Sequence, residues 1–176
     1  MKRIGWGISL LMLVSGAANA ALVSRLSGAA YYDTVLDITW LADANHAYTS
    51  GYDSDGLMTW SAAQTWISTL NASSYLGITN WRLPNADVNS DNFVAYCSSS
   101  TEPVCRDNEM GYMFYQNHVN RSLPAPFASI GFDYWSGTVN PANSAKAYDG
   151  LLPVSRTPSY GRLDFPRYVG HLRATI

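Results

Sequence analysis

Charge is what this chain has least of: Asp, Glu, Lys and Arg make up 14% of its 176 residues, against about a quarter in a typical protein. With a net charge of −2 and no run of Lys or Arg, it offers no basic footprint to a phosphate backbone, which sets nucleic acid aside as a partner. Long apolar runs are missing as well. The stretch Ile8 to Val14 falls far short of the roughly 20 residues of a membrane-spanning helix. Catalytic signatures are equally scarce: there is no Gly-x-Ser-x-Gly elbow, no His-Glu-x-x-His and no phosphate-binding glycine loop. His46, His118 and His171 lack ligand spacing. Only two cysteines occur, and they are not spaced Cys-x-x-Cys.

What is present begins with a leader. Lys2-Arg3 form a positive n-region, Ile8 to Val14 an apolar h-region and Ala18-Asn19-Ala20 a small-x-small cleavage site, the three parts of a secretory signal peptide over residues 1–20. Removing it leaves residues 21–176 as one domain, with nine basic against thirteen acidic residues and a net charge of −4. Export makes a disulfide the natural reading of Cys97 and Cys105, closing a short polar loop.

Along the mature chain, Ala29 to Leu41 mixes β-branched and aromatic residues and predicts two short strands turning near Asp33-Thr34. Residues 42–56 are polar and read as a loop. Trp60, Ala63, Ile67 and Leu70 then share one helical face, predicting a helix over 59–71 capped by Thr59 or Ser61. A second helix through Glu109, Met110, Met113 and Phe114 is capped by Asp107 or Asn108, with Gly111 weakening it. Phe132 to Val139 is a strand candidate, and prolines at 141, 153, 158 and 166 restrict later strands to short or edge positions. The expected class is α+β, with two helices, small antiparallel sheets and long loops.

Three ordered segments carry a resemblance: Leu57 to Gln64, Asn80-Trp81-Arg82-Leu83-Pro84 and Tyr134-Trp135-Ser136-Gly137-Thr138. With Asp37 to Leu41 and Glu109 to Phe114, they resemble the Lcl C-terminal domain family, whose fold is similar to the C-type-lectin-like fold. The resemblance assigns Trp40, Trp60, Trp81, Arg82, Pro84, Trp135 and Gly137 to the fold motif. It implies that Tyr31 to Leu41 pairs with a strand within Arg167 to Thr175, and that long loops carry the ligand sites. Family members end in an aromatic-rich strand pair, whereas this chain has the proline- and arginine-interrupted stretch Gly150 to Pro166. The formylglycine-generating branch of that fold uses late cysteines, and none follows Cys105.

Oxygen-rich loops are the remaining chemical resource. Asp87, Asn89 and Asp91 alternate as at the opening of a calcium loop, but position six is Asn92 and position twelve Ser98, which excludes the helix-loop-helix form. Asp53 and Asp55 precede Gly56 in what reads as a turn. Calcium is therefore a ligand to test rather than an assigned cofactor. Tyr48 and Tyr52, with Tyr75, Tyr160 and Tyr168, lie in loop-like sequence and are expected to be exposed, while most tryptophans are expected in the core. The leading expectation is a non-catalytic, secreted or periplasmic lectin-like domain that takes a glycan or a surface protein through Tyr48, Tyr52, Asp53, Asp55, Asp87, Asn89 and Asp91. A structural component of envelope or matrix is the alternative, and an enzyme with a spatially assembled site comes third.

Overall fold

The computed structural model describes residues 22–97, 103–131, 133–144, 146–151, 159–162, 167–168 and 173–174. The signal peptide reading at 1–20 and His171 lie outside the described residues.

Among the described residues, two small sheets and three α-helices form an α+β domain. The first sheet joins β1 (Leu22–Arg25), β2 (Ala30–Asp33), β3 (Ile38–Leu41) and β9 (Arg173–Ala174) in the order β1-β2-β3-β9, all antiparallel. All four residues of β3 are buried, so its backbone groups need a partner on each edge. β2 supplies one, and β9 supplies the other through Thr39 opposite Ala174 and Trp40 opposite Arg173. The expected pairing of this segment with a late strand is met. β1 was not legible, since Leu22–Arg25 carries a partly exposed, mixed pattern.

The second sheet runs β4-β8-β5-β6-β7. It contains β4 (Leu57–Met58), β5 (Asp133–Val139), β6 (Lys146–Leu151), β7 (Ser159–Arg162) and β8 (Arg167–Tyr168). Its pairings are antiparallel except for β5 with β8, which are parallel at Tyr134 and Tyr168. Tyr160 and Tyr168 are therefore strand residues, where the sequence suggested loops.

Of the helices, α1 (His46–Thr49) is a single turn inside the expected loop. α2 (Trp60–Ala72) is capped by the Thr59 side chain, which accepts from the Ala62 amide. Its buried face is Ala63, Trp66, Ile67 and Leu70; Trp60 lies at the margin and donates its indole N–H to the Ser136 carbonyl at 2.9 Å. α3 (Glu109–Tyr115) is capped by Asn108, which accepts from the Gly111 amide.

One core cluster places α2 against Leu41, Trp81, Leu83 and Trp135. Another gathers Ile38, Trp40, Met113, Val119 and Phe127. Two of the buried indoles donate to carbonyls, Trp135 to that of Met58 (3.0 Å) and Trp81 to that of Tyr75 (3.1 Å). Pro84 is buried, and its carbonyl accepts from the Gly137 amide at 2.7 Å. The fold-motif residues thus serve the core and the contact between β5 and the 82–84 turn.

Candidate functional site

The segment from Arg82 to Glu109 carries most of the chemistry. Asn85 and Glu109 hold each other twice: the Glu109 amide donates to the Asn85 carbonyl at 2.9 Å, and the Asn85 amide donates to Glu109 Oε2 at 2.6 Å. Glu109 Oε1 accepts from the Arg82 guanidinium at 2.8 Å. The Asn85 side chain bonds the Thr138 hydroxyl and accepts from the Asp87 amide, tying the loop to β5. Burial is the main force on Glu109 and raises its pKa to about 7, with Arg82 and the Asn85 amide pulling it down against that and Asp33 adding to the rise. The carboxylate at the start of α3 is thus a buried clamp between the 82–85 segment and the helix.

Beyond Asn85 the loop is shaped by its own carboxylates. Asp87 accepts from the amides of Asp91 (3.1 Å) and Asn92 (2.9 Å), and Asp91 from that of Phe93 (2.8 Å). Asn89 accepts from the Asp91 amide and donates its own to Asp107 at 2.8 Å. Such local turns leave each oxygen a role in folding the loop. Carboxylate oxygens of Asp87, Asp91 and Asp107 lie within 4.8 Å of one another. Asp107 was invisible to the spacing of 87, 89 and 91, because the disulfide segment brings it back to Val88 and Asn89. Its pKa is raised, first by burial and then by the like charges of Asp87 and Asp91.

Cys97 and Cys105 are disulfide-bonded with Cα atoms 4.9 Å apart, both buried against Tyr112. The same segment presents Val88, Phe93, Tyr96 and Val104 to solvent, Phe93 at 60% exposure. Beside it is an open cavity of about 300 Å³, lined by Val35, Leu36 and Asp37 of the β2–β3 turn, Ile38 at the start of β3, and Val88, Arg106 and Glu109. The turn is preset by Asp33, whose buried carboxylate accepts from the amides of Val35 (2.9 Å) and Leu36 (3.0 Å).

The other predicted group packs elsewhere. Tyr48 and Tyr52 are exposed as expected, with Tyr52 against Trp66 of α2. Tyr75, expected to be exposed, is partly buried because it stacks on His46 at 4.7 Å and packs against the α2 core. Asp53 accepts from the amides of Asp55 (3.1 Å) and Gly56 (2.7 Å), and Asp55 from that of Leu57. Those amides, the Asp55 one foremost, hold the Asp53 carboxyl below its ordinary range. Gly56 has φ +78°, and a Cβ there would lie 2.0 Å from Asn45 Oδ1, so this pair of aspartates builds a turn that only glycine closes. The loop at 43–56 rests on α2, whereas the loop at 85–97 rests on α3 and β5.

Ser136 is buried, and its hydroxyl accepts from the Thr138 amide at 3.0 Å, a strand role. Burial lowers the pKa of His46, opposed by Asp43. Among the described residues no helix is long and apolar enough to cross a membrane. The disulfide is compatible with an oxidising extracellular or periplasmic setting. The class of protein these features define is a small disulfide-bearing α+β domain. The chain matches no family model, no curated protein and no solved structure.

Proposed function

We propose that this chain is a secreted or periplasmic, non-catalytic binding domain of the lectin-like kind, related to the Lcl C-terminal domain, which takes a cell-surface glycan through the face built by residues 85–97 and 103–109. The observation that carries the reading is the convergence on that face of a cavity, exposed apolar and aromatic side chains, and carboxylates held by backbone amides. Such a mixture of apolar area with a few fixed polar groups is what small-ligand sites use. Rigid anchoring through Asn85, Glu109 and the disulfide lowers the ordering cost of binding.

The N-terminal leader reading and the disulfide both support export. A surface protein is the other occupant that the same face would take. The test is a glycan array together with a pull-down from surface-labelled cells, both with the mature protein. Saturable binding to at least one class is expected, and blank results in both would overturn the proposal.

A further inference from the structure

Resting on the lectin-like reading, we infer that the open cavity between the β2–β3 turn and Val88 is a subsite for the acetamido group of a neutral, N-acetylated amino sugar. The methyl enters among the aliphatic side chains, and the amide N–H and C=O meet the exposed charged residues. Val35, Leu36, Ile38 and Val88 line about 300 Å³, at the lower end of the ~300–1,000 Å³ range of ligand clefts, which suits a single unit of a longer chain. Three charged residues share the lining. Glu109 adds little to recognition: it is 1% exposed, and its oxygens are engaged by Arg82 at 2.8 Å and the Asn85 amide at 2.6 Å. The exposed pair is of opposite sign, Asp37 from the turn and Arg106 from the disulfide segment. Asp37 accepts from the Tyr32 hydroxyl at 2.7 Å, and a carboxylate has further acceptor sites; a guanidinium carries five N–H donors.

A full charge of either sign gains at one residue and loses at the other. An anion drawn to Arg106 meets Asp37 at the same cavity, and a cation drawn to Asp37 meets Arg106. A zwitterion gains little, because exposed ion pairs are screened by solvent, whereas burial against the aliphatic lining scales with apolar area. Apolar burial therefore sets affinity, and the two exposed residues set orientation. An acetamido group matches all three parts: a methyl for the lining, an N–H for Asp37 and a C=O for Arg106. An ammonium or a hydroxyl at the same carbon lacks both the methyl and the carbonyl.

The experiment titrates the mature, disulfide-bonded protein by calorimetry at neutral pH with three β-1,4-linked trimers that differ only at C2: N-acetylglucosamine, glucosamine and glucose. The acetylated trimer is expected to bind about ten-fold or more tightly than either of the others, with its methyl protons receiving the strongest saturation transfer in NMR. Val88→Trp fills the cavity from an exposed position and is expected to weaken that binding about ten-fold or more. Arg106→Gln leaves fewer donors and is expected to cost about two- to five-fold. Unchanged melting temperatures establish that both variants fold. Equal binding of the three trimers, preference for the glucosamine one, or full binding by Val88→Trp would overturn this subsite. So would binding of N-acetyl-leucine amide in place of any of the trimers, which points to a peptide. In each case the lectin-like reading stands as long as some glycan on the array binds. Absence of binding to any glycan on the array and to any surface protein removes both.

Discussion

Gly111 shows how a single missing carbon can be a packing decision. By helix propensity it is a weak choice within α3, costing about 1 kcal/mol relative to alanine. A Cβ at this position would lie 2.8 Å from Cys97 Sγ and 3.0 Å from the Asn108 side chain that caps the helix. Neither neighbour can retreat freely, since one is half of a disulfide and the other holds the Gly111 amide. Gly111→Ala is therefore expected to destabilise the domain by roughly 1–3 kcal/mol, as overpacking does, and a thermal or denaturant melt measures it. Glu109 makes the second residue-scale prediction. Its pKa of about 7 in the fold lies above the ordinary 4.5, so the folded state binds its proton more tightly than the unfolded chain does. The associated stability is fully present below pH 4.5 and is lost as pH rises through about 7. Stability should thus be greater near pH 5 than near pH 8 by on the order of 3 kcal/mol from this group. His46, whose pKa is lowered, works in the opposite sense over part of that window. The difference between wild type and Glu109→Gln isolates the glutamate, and an equal pH slope in both proteins would contradict the assignment. Nothing in the sequence announced this clamp, because Arg82, Asn85 and Glu109 meet only after the 85–107 loop has folded back. By contrast, the Thr59 and Asn108 caps and the burial of Trp40, Trp81 and Trp135 were legible, since each depends on local chemistry or on bulk apolar area.

At the scale of elements, the disulfide loop is the piece that connects site to scaffold. Cys97 and Cys105 close a short excursion, and both are buried beside Tyr112 of α3. Thiol titration of the native protein should find no free cysteine, and reduction should lower stability by ~2–3 kcal/mol as expected for a loop of this size. Reduction should also loosen Asp107 from Val88 and Asn89, detectable as faster amide exchange at those two residues. The sequence exposed α2 clearly because a 3.6-residue period over thirteen residues needs no tertiary information. It did not expose α1 and β4, which are too short to carry a period and exist because α2 and β8 give them something to pair with. The same reason hid the cavity: its walls come from a turn at 35–38 and from residues at 88, 106 and 109, and no local pattern links them. The candidate ligand residues divide accordingly. Asp87, Asn89 and Asp91 belong to the built face, whereas Asp53 and Asp55 are occupied in shaping a turn on the α2 side.

At the scale of the whole molecule, each sheet is held together by strands drawn from distant parts of the chain. β4 obtains its partner from Arg167–Tyr168 and β3 its second neighbour from Arg173–Ala174. The α+β class was readable from the periodicities, and the pairing of an early with a late strand was implied by the family resemblance; the parallel register between β5 and β8 was not readable, because parallel pairing leaves no hairpin signal between its strands. Closure by such remote partners has a consequence for biogenesis. Loop-closure entropy must be met before these pairings return any energy, so neither sheet is complete until the late strands have been synthesised. A chain with that arrangement stays unfinished while it emerges from the ribosome, which is the condition a polypeptide must be in to be threaded through a translocon before it folds on the far side.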